Sequence, residues 1–171
     1  LVAATAREEI TVWDYKLKQR MNAFANANPA GSRCNSLLLL ETFAPTLPPL
    51  LLVGSSEGTV RVWRGWRHAG EQQLLTALQA ADRFADASRT GARPTFDAPL
   101  ALCWQAASST LPVACGSANV RCYDLTTERC AVTLSVEGGA LQPAHAPEGG
   151  NAVRCLAAHA HSRVLIAGGT D

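Results

Sequence analysis

The chain lacks a charge excess, a long apolar run and a catalytic signature. Its 15 basic and 14 acidic residues leave a formal net charge of +1, so no polyanion partner is expected, nucleic acid included. The longest apolar stretch, Phe43 to Val53, is interrupted by Pro45, Pro48 and Pro49. It falls short of a bilayer's width, which argues against membrane insertion, and no targeting signal is legible. The 6 cysteines include no Cys-x-x-Cys pair. Five of them, Cys103, Cys115, Cys122, Cys130 and Cys155, lie in or beside segments that read as strands, as small buried hydrophobes in a reducing compartment do. Cys155, His159 and His161 have a spacing that could ligate a metal, but they straddle a strand end and its turn, without a fourth ligand. No metal and no cofactor are therefore expected. Catalysis finds equally little support. The turn Gly54 to Gly58, GSSEG, lacks the lysine of a phosphate-binding loop and leads into a strand where that loop needs a helix. There is no Gly-x-Ser-x-Gly, and Asp14 and Asp124 read as turn caps, so the expectation is that this chain is not an enzyme.

The chain does have repetition. In LLVGSSEGTVRVW, Leu51 to Trp63, an apolar run meets a turn with glycine at both ends, and then Val60 and Val62 alternate with Arg61 and Trp63. That is a tight β-hairpin whose second strand suits a half-buried, pleated surface. LVAATAREEITVWDY, Leu1 to Tyr15, repeats it with Trp13-Asp14. LPVACGSANVRCYDL, Leu111 to Leu125, repeats it with Tyr123-Asp124, and VLIAGGTD copies its opening. Trp13, Trp63 and Tyr123 recur at fifty and sixty residues and are expected at equivalent places on third strands, packed between blades. Weaker strands flank each hairpin: SLLLLETF, PLALCWQ and NAVRCLAAH before, QRMNAF, QQLLTAL and RCAVTLSV after.

Four strands per unit, the third closing on Trp-Asp or a relative of it, is the pattern of a WD-repeat blade. The fold class is thus all-β, a partial WD-repeat β-propeller of about three to four blades of antiparallel four-stranded sheet. The expected division is part of a first blade at 1–24, a second at 36–78, an inserted loop at 79–97, a third at 99–136, a loop at 137–150 and part of a fourth at 151–171. A blade takes roughly 40–45 residues and a closed ring about 4–8 blades, so the chain reads as about half a propeller cut from something longer.

Two places offer themselves to partners. RVWRGWRH, Arg61 to His68, mixes Arg64 and Arg67 with Trp66 in what reads as a solvated turn after a strand, and Trp66 is expected as an exposed aromatic suited to an interface. The same mixture occurs in grooves for single-stranded nucleic acid, but there the aromatics and cations share one groove, whereas here they divide between strand and turn. The 79–97 loop carries Arg83, Arg89 and Arg93, and a loop of this length inside a compact domain is usually either functional or disordered. Arg64, Trp66, Arg67, Arg83, Arg89 and Arg93 are therefore the candidate protein-interaction residues.

The chain also resembles the Raptor family, the regulatory scaffolds of TOR complex 1. Trp13-Asp14-Tyr15 leads to Phe24, Asn26, Asn28 and Pro29, similar to the family's Trp-Asp-aromatic strand and Phe-x-Asn-x-Asn-Pro loop. LLLVGSSEGTVRVWRGW resembles its Leu-rich hairpin ending in Val-Arg-Val-Trp, and QLLTALQAADRF the strand after it. LALCWQ, with Trp104 and Gln105, looks like the next opening strand. NVRCYDLTTERC has Tyr123 where tryptophan is usual, and AVRCLAAHAHSRVLIAGGTD is similar to a His-x-x-Leu-Ile-Ala-Gly stretch. The loops at 79–97 and 137–150 are longer than the pattern, and the turn near Ala118 is shorter. The resemblance implies a C-terminal propeller, TOR kinase and the other TOR complex 1 subunits as partners, and protein substrates or adaptors presented to them. It also implies a role in nutrient response and cell-growth regulation. The implied place is the cytoplasm, with partners able to recruit the protein to a lysosomal or vacuolar membrane. The alternative is a WD-repeat adaptor of another complex, in vesicle trafficking or ubiquitin ligation.

Overall fold

Leu50, Leu51, Leu52 and Val53 follow one another without a polar residue because the strand they form is covered on both faces. The computed structural model describes residues 2–4, 9–41, 48–80, 100–115, 119–135 and 152–170, which form four antiparallel sheets. The first contains β1 (Val2–Ala4), β2 (Glu9–Asp14) and β3 (Gln19–Ala25). The second contains β4 (Cys34–Leu40), β5 (Leu50–Ser55), β6 (Thr59–Arg64) and β7 (Gln73–Gln79). The third contains β8 (Leu100–Leu102), β9 (Thr110–Cys115), β10 (Asn119–Asp124) and β11 (Arg129–Ser135), and the fourth β12 (Ala152–Ala158) and β13 (Leu165–Thr170). Spatial order follows chain order in each sheet, so every one is a meander joined by hairpins. The all-β propeller reading of the sequence therefore holds.

The sheets stack face to face, and alternation along β5 decides which residue meets which neighbour. Leu51 and Val53 join Ile10, Val12, Phe24, Trp63 and Trp66 in a core between the first and second sheets. Leu50 and Leu52, one residue out of phase, join Val60, Val62, Leu78, Leu111, Val113 and Tyr123 between the second and third. Ala114, Val120 and Val153 begin a third core with Leu156 and Leu165. β6 is consequently not the half-buried strand its alternation suggests. Val60 and Val62 face one neighbour and Trp63 the other, and Thr59 and Arg61 are buried with them.

The three third strands share a device. Opposite Trp13, Trp63 and Tyr123 the ladder slips by one residue, leaving Met21, Leu75 and Ala131 as the extra residues of a β-bulge. Leu51 pairs with Trp63 as Leu111 pairs with Tyr123, so the aromatics are equivalent by register. Their burial differs. Trp63 and Tyr123 are 7% and 5% exposed, whereas Trp13 is 41% exposed. The expectation that all three pack between sheets therefore fails for Trp13. The aromatic packs against the sheet before it in the chain, and among the described residues no sheet precedes the first.

β8 is shorter than the expected PLALCWQ strand. Cys103 meets Pro112 across the ladder: the Cys103 amide donates to the Pro112 carbonyl at 3.3 Å, but proline has no N–H to return. Pairing resumes only as an isolated bridge between Gln105 and Thr110. Asp14 and Asp124 cap turns as expected. Asp14 Oδ1 accepts from the amides of Lys16 and Leu17 at 2.9 and 3.1 Å. Asp124 Oδ1 accepts from Thr126 and Thr127 at 2.7 and 3.4 Å, and the Thr126 amide is the main reason its pKa is lowered. Both turns end on a residue with positive φ, Lys18 and Glu128.

Candidate functional site

The first and second sheets are joined by a buried polar network that begins where β3 ends. Ala27 takes a positive φ of 56°, and the asparagines on either side of it, Asn26 and Asn28, meet at 2.8 Å between Asn26 Nδ2 and Asn28 Oδ1. Asn26 is 0% exposed. Its Oδ1 accepts from the indole N–H of Trp63 at 2.8 Å, and its Nδ2 also reaches Ser55 Oγ at 3.2 Å. Asn28 Oδ1 accepts from Ser55 Oγ at 2.7 Å and from Arg61 at 2.8 Å. Arg61 in turn pairs with Glu57 Oε1 at 2.6 Å, and Ser32 Oγ bonds the other carboxylate oxygen of Glu57. Phe24 stands edge-on to Trp63, ring centroids 5.0 Å apart. The Trp63 indole N–H and Arg61 Nη1 thus both find acceptors in the loop after β3, and Ser55 and Glu57 of the β5–β6 hairpin complete the Arg61 contacts.

The turn 65–72 docks on the same junction. Asn22 on β3 donates its Nδ2 to the carbonyls of Trp66 and His68 at 2.9 and 3.2 Å, and the Trp66 indole donates to the Pro49 carbonyl at 3.0 Å. Gly65 has a φ of 62°, and a Cβ there would overlap the Glu71 carbonyl, so the turn is closed around glycine. Trp66, expected as an exposed interface aromatic, is 4% exposed and part of the core between the sheets. The polar character of its neighbours hid this, because burial comes from the first sheet, far away in sequence. Arg64 and Arg67 are exposed: Arg64 is held by Gln73 Oε1, with its Nε at 2.7 Å, and Arg67 lies 5.1 Å from the centre of the Trp66 ring. Arg83, Arg89 and Arg93 lie outside the described residues, as does the 137–150 loop and the turn at 116–118.

At the second junction the same register positions use backbone acceptors. Tyr123 Oη donates to the Gln79 carbonyl at 2.9 Å and Arg121 to the Ala80 carbonyl at 3.1 Å. Gln79 ends β7 and Ala80 is buried, so the first two residues assigned to the 79–97 loop belong to the junction. The third and fourth sheets are tied by Gln105, whose Nε2 donates to the Val164 carbonyl at 3.0 Å.

The thiols and histidines are taken up locally. None of the six cysteines is in a disulfide, and burial, followed by the neighbouring Cys122, pushes the Cys103 thiol to about 11. Cys155 Sγ lies 3.6 Å from the Gly168 carbonyl, while His159 Nδ1 bonds Ser162 Oγ at 2.9 Å within its own turn. Among the described residues no group of three His, Cys, Asp or Glu side chains is placed to hold a metal, and no helix is long and apolar enough to cross a membrane.

A propeller of this form has many hosts, so comparison with known proteins decides the family. No family model matches the chain. The rice protein Regulatory-associated protein of TOR 2 is 30% identical over 155 residues, which is 91% of this chain and 10% of its own length. Protein raptor homolog of Dictyostelium discoideum is 32% identical over 85 residues, half of this chain and 5% of its own. This chain is homologous to a segment of Raptor. It spans a tenth or less of the length of these relatives. The crystal structure of Chaetomium thermophilum Raptor shares the fold at a TM-score of 0.72 and 20% identity, covering 98% of this chain and 13% of that one. Saccharomyces cerevisiae Sqt1 shares it at 0.71 and 16% identity, over 97% of this chain and 38% of its own. The Asn-x-Asn-Pro loop, on which the Raptor resemblance rests most specifically, is the polar network itself. Asn26 accepts from Trp63, and Asn28 accepts from Ser55 and Arg61, of the Raptor-like hairpin.

Proposed function

We propose that this chain is part of a non-catalytic scaffold subunit of TOR complex 1, contributing a propeller surface that carries partners to TOR kinase. The observation that carries the reading is the 30% identity to a regulatory-associated protein of TOR across 91% of the chain. It is supported by the residues that hold the first two sheets together being those of the Raptor resemblance. The polar groups here are arranged to hold sheets rather than to react: Glu57 is paired with Arg61 and Ser32, and Ser55 is bonded into the same network. A scaffold of this kind acts through exposed loops on a rigid framework, with protein substrates or adaptors as ligands. Its role is in nutrient response and growth control, in the cytoplasm and on the lysosomal or vacuolar membranes to which its partners recruit it. Arg64 and Arg67 are the exposed candidates beside the first junction, with Arg83, Arg89 and Arg93 proposed for the loop after β7.

Affinity purification of the tagged full-length protein from its own cells tests this. Recovery of TOR kinase together with a small WD-repeat subunit is the expected result. Reproducible recovery of a vesicle coat complex or a cullin ligase without TOR would replace this reading with that of an adaptor for another complex.

A further inference from the structure

One turn is built twice with different surfaces. Asp14 and Asp124 each cap the connection between a third and a fourth strand, and Lys18 and Glu128 close it at φ values of 54° and 57°. By register, Lys16, Leu17 and Lys18 of the first sheet stand where Thr126, Thr127 and Glu128 stand in the third. The backbone therefore does not require the two lysines around a leucine, since the third sheet forms the same turn without them. Leu17 is 66% exposed, and a sheet packed before the first would leave it so. Its counterpart Thr127 is exposed although the second sheet covers Tyr123 and part of Leu125. Tyr15 differs, because it stands where the half-buried Leu125 does. The corresponding turn of the second sheet brings a third cation to the same end. Asn22 of β3 holds the carbonyls of Trp66 and His68, which draws the turn 65–72 back onto the first sheet, and Arg67 is exposed over the Trp66 ring. Among the described residues no carboxylate pairs with Lys16, Lys18 or Arg67. Of the acids beside them, Asp14 has its Oδ1 engaged by its own turn, which leaves Glu71. Positive charge thus gathers at this end of the first junction in a chain whose net charge is only +1.

We infer that this end of the first junction, presenting Lys16, Leu17, Lys18 and Arg67, docks against the acidic face of a folded partner protein, with Leu17 as its apolar anchor. The cations come from two turns fifty residues apart in sequence that are fixed to one framework, and such a pattern is matched by carboxylates that are fixed on a framework too. Stacking on Trp66 holds the Arg67 guanidinium in place, ready for a carboxylate that meets its planar fork. A single exposed leucine is too little apolar surface to hold an anionic bilayer, but against a protein it has one side chain's worth of burial to gain. The inference rests on the scaffold reading for the partner being a protein, and not on which kinase the scaffold serves.

Zero-length coupling of amines to carboxylates with a carbodiimide, applied to the complex purified through the tagged full-length protein and read by mass spectrometry, tests the surface. Lys16 or Lys18 should couple to an aspartate or glutamate of another polypeptide. The variant Lys16→Thr/Leu17→Thr/Lys18→Glu gives the first turn the residues of the third, so its unfolding midpoint should not move. Recovery of the coupled polypeptide should nevertheless fall about tenfold or more, as loss of an anchor and reversal of a charge together do. Thr126→Glu/Thr127→Glu, the same turn on the third sheet, should leave that recovery unchanged. Arg67→Glu should lower it about fivefold, and this variant decides the matter if the triple variant lowers the midpoint. Absence of coupling, coupling confined to the same chain or a second copy of it, or undiminished recovery by the variants overturns the inference. So does binding of the wild-type protein, but not the triple variant, to phosphatidylserine vesicles, which would put a membrane in the partner's place. Coupling that the triple variant abolishes, in a complex that lacks TOR kinase, would uphold the surface and count against the TOR reading alone.

Discussion

Trp63 joins both kinds of interaction that hold the first junction, since its ring meets Phe24 edge-on while its N–H is received by Asn26. Trp63→Ala in the complete propeller is expected to cost about 3–5 kcal/mol, as truncation of a buried aromatic does, and Asn26→Ala about 1–3 kcal/mol by stranding the indole N–H. Chemical denaturation of the full-length protein measures both; an unchanged midpoint for Trp63→Ala would place its ring outside the core. The cysteines give a second residue-scale expectation. Burial raises the Cys103 pKa from an ordinary value of 9.0 to about 11 and also raises that of Cys122. The protonated Cys103 thiol is the form the fold prefers, so its contribution to stability is complete below pH 9 and is lost as pH rises through about 11. Iodoacetamide at pH 8 should accordingly label the exposed Cys130 and Cys155 first and Cys103 last. Early labelling of Cys103 would contradict its burial.

The elements whose chemistry is local are the ones the sequence displays. The hairpin β5–β6, the Asp-capped turns after β2 and β10 and the recurrence of Trp13, Trp63 and Tyr123 follow from turn residues and period-2 patterning. β8 is less legible, because its early end depends on Pro112, which sits opposite it on the next strand. The turn 65–72 is less legible still. Arg64, Arg67 and His68 make it look solvated, yet Asn22 and Pro49 draw Trp66 inside. Its conformation depends on Gly65, so Gly65→Ala should lower the unfolding midpoint, at a cost of about 1–3 kcal/mol for positive φ and overlap together. Gly70→Ala shares the positive φ but meets nothing within 4 Å, and should cost only about 1–2 kcal/mol. Equal destabilisation by the two would mean that Gly65 is chosen for its φ alone.

At the scale of the molecule, the connection after β7 separates what the fold needs from what it carries. Gln79 and Ala80 accept from Tyr123 and Arg121, so an excision must begin beyond them. Deletion from Arg83 to Arg93 in the full-length protein is expected to change stability by less than about 1 kcal/mol, since loop length enters closure entropy only logarithmically. A larger loss, read by thermal unfolding, would make that segment part of a sheet. The sequence by itself determined the strands, their hairpins, the four-strand repeat and the likeness to Raptor, because these depend on residues close together in the chain and on patterns with a fixed period. Only the tertiary structure decided which faces are covered, and the physical reason is that burial is conferred by a neighbouring sheet. It turned Arg61 and Trp66 inward and left Trp13 without a preceding sheet among the described residues. It also showed that the two asparagines of the Asn-x-Asn-Pro motif are the acceptors on which the next sheet closes.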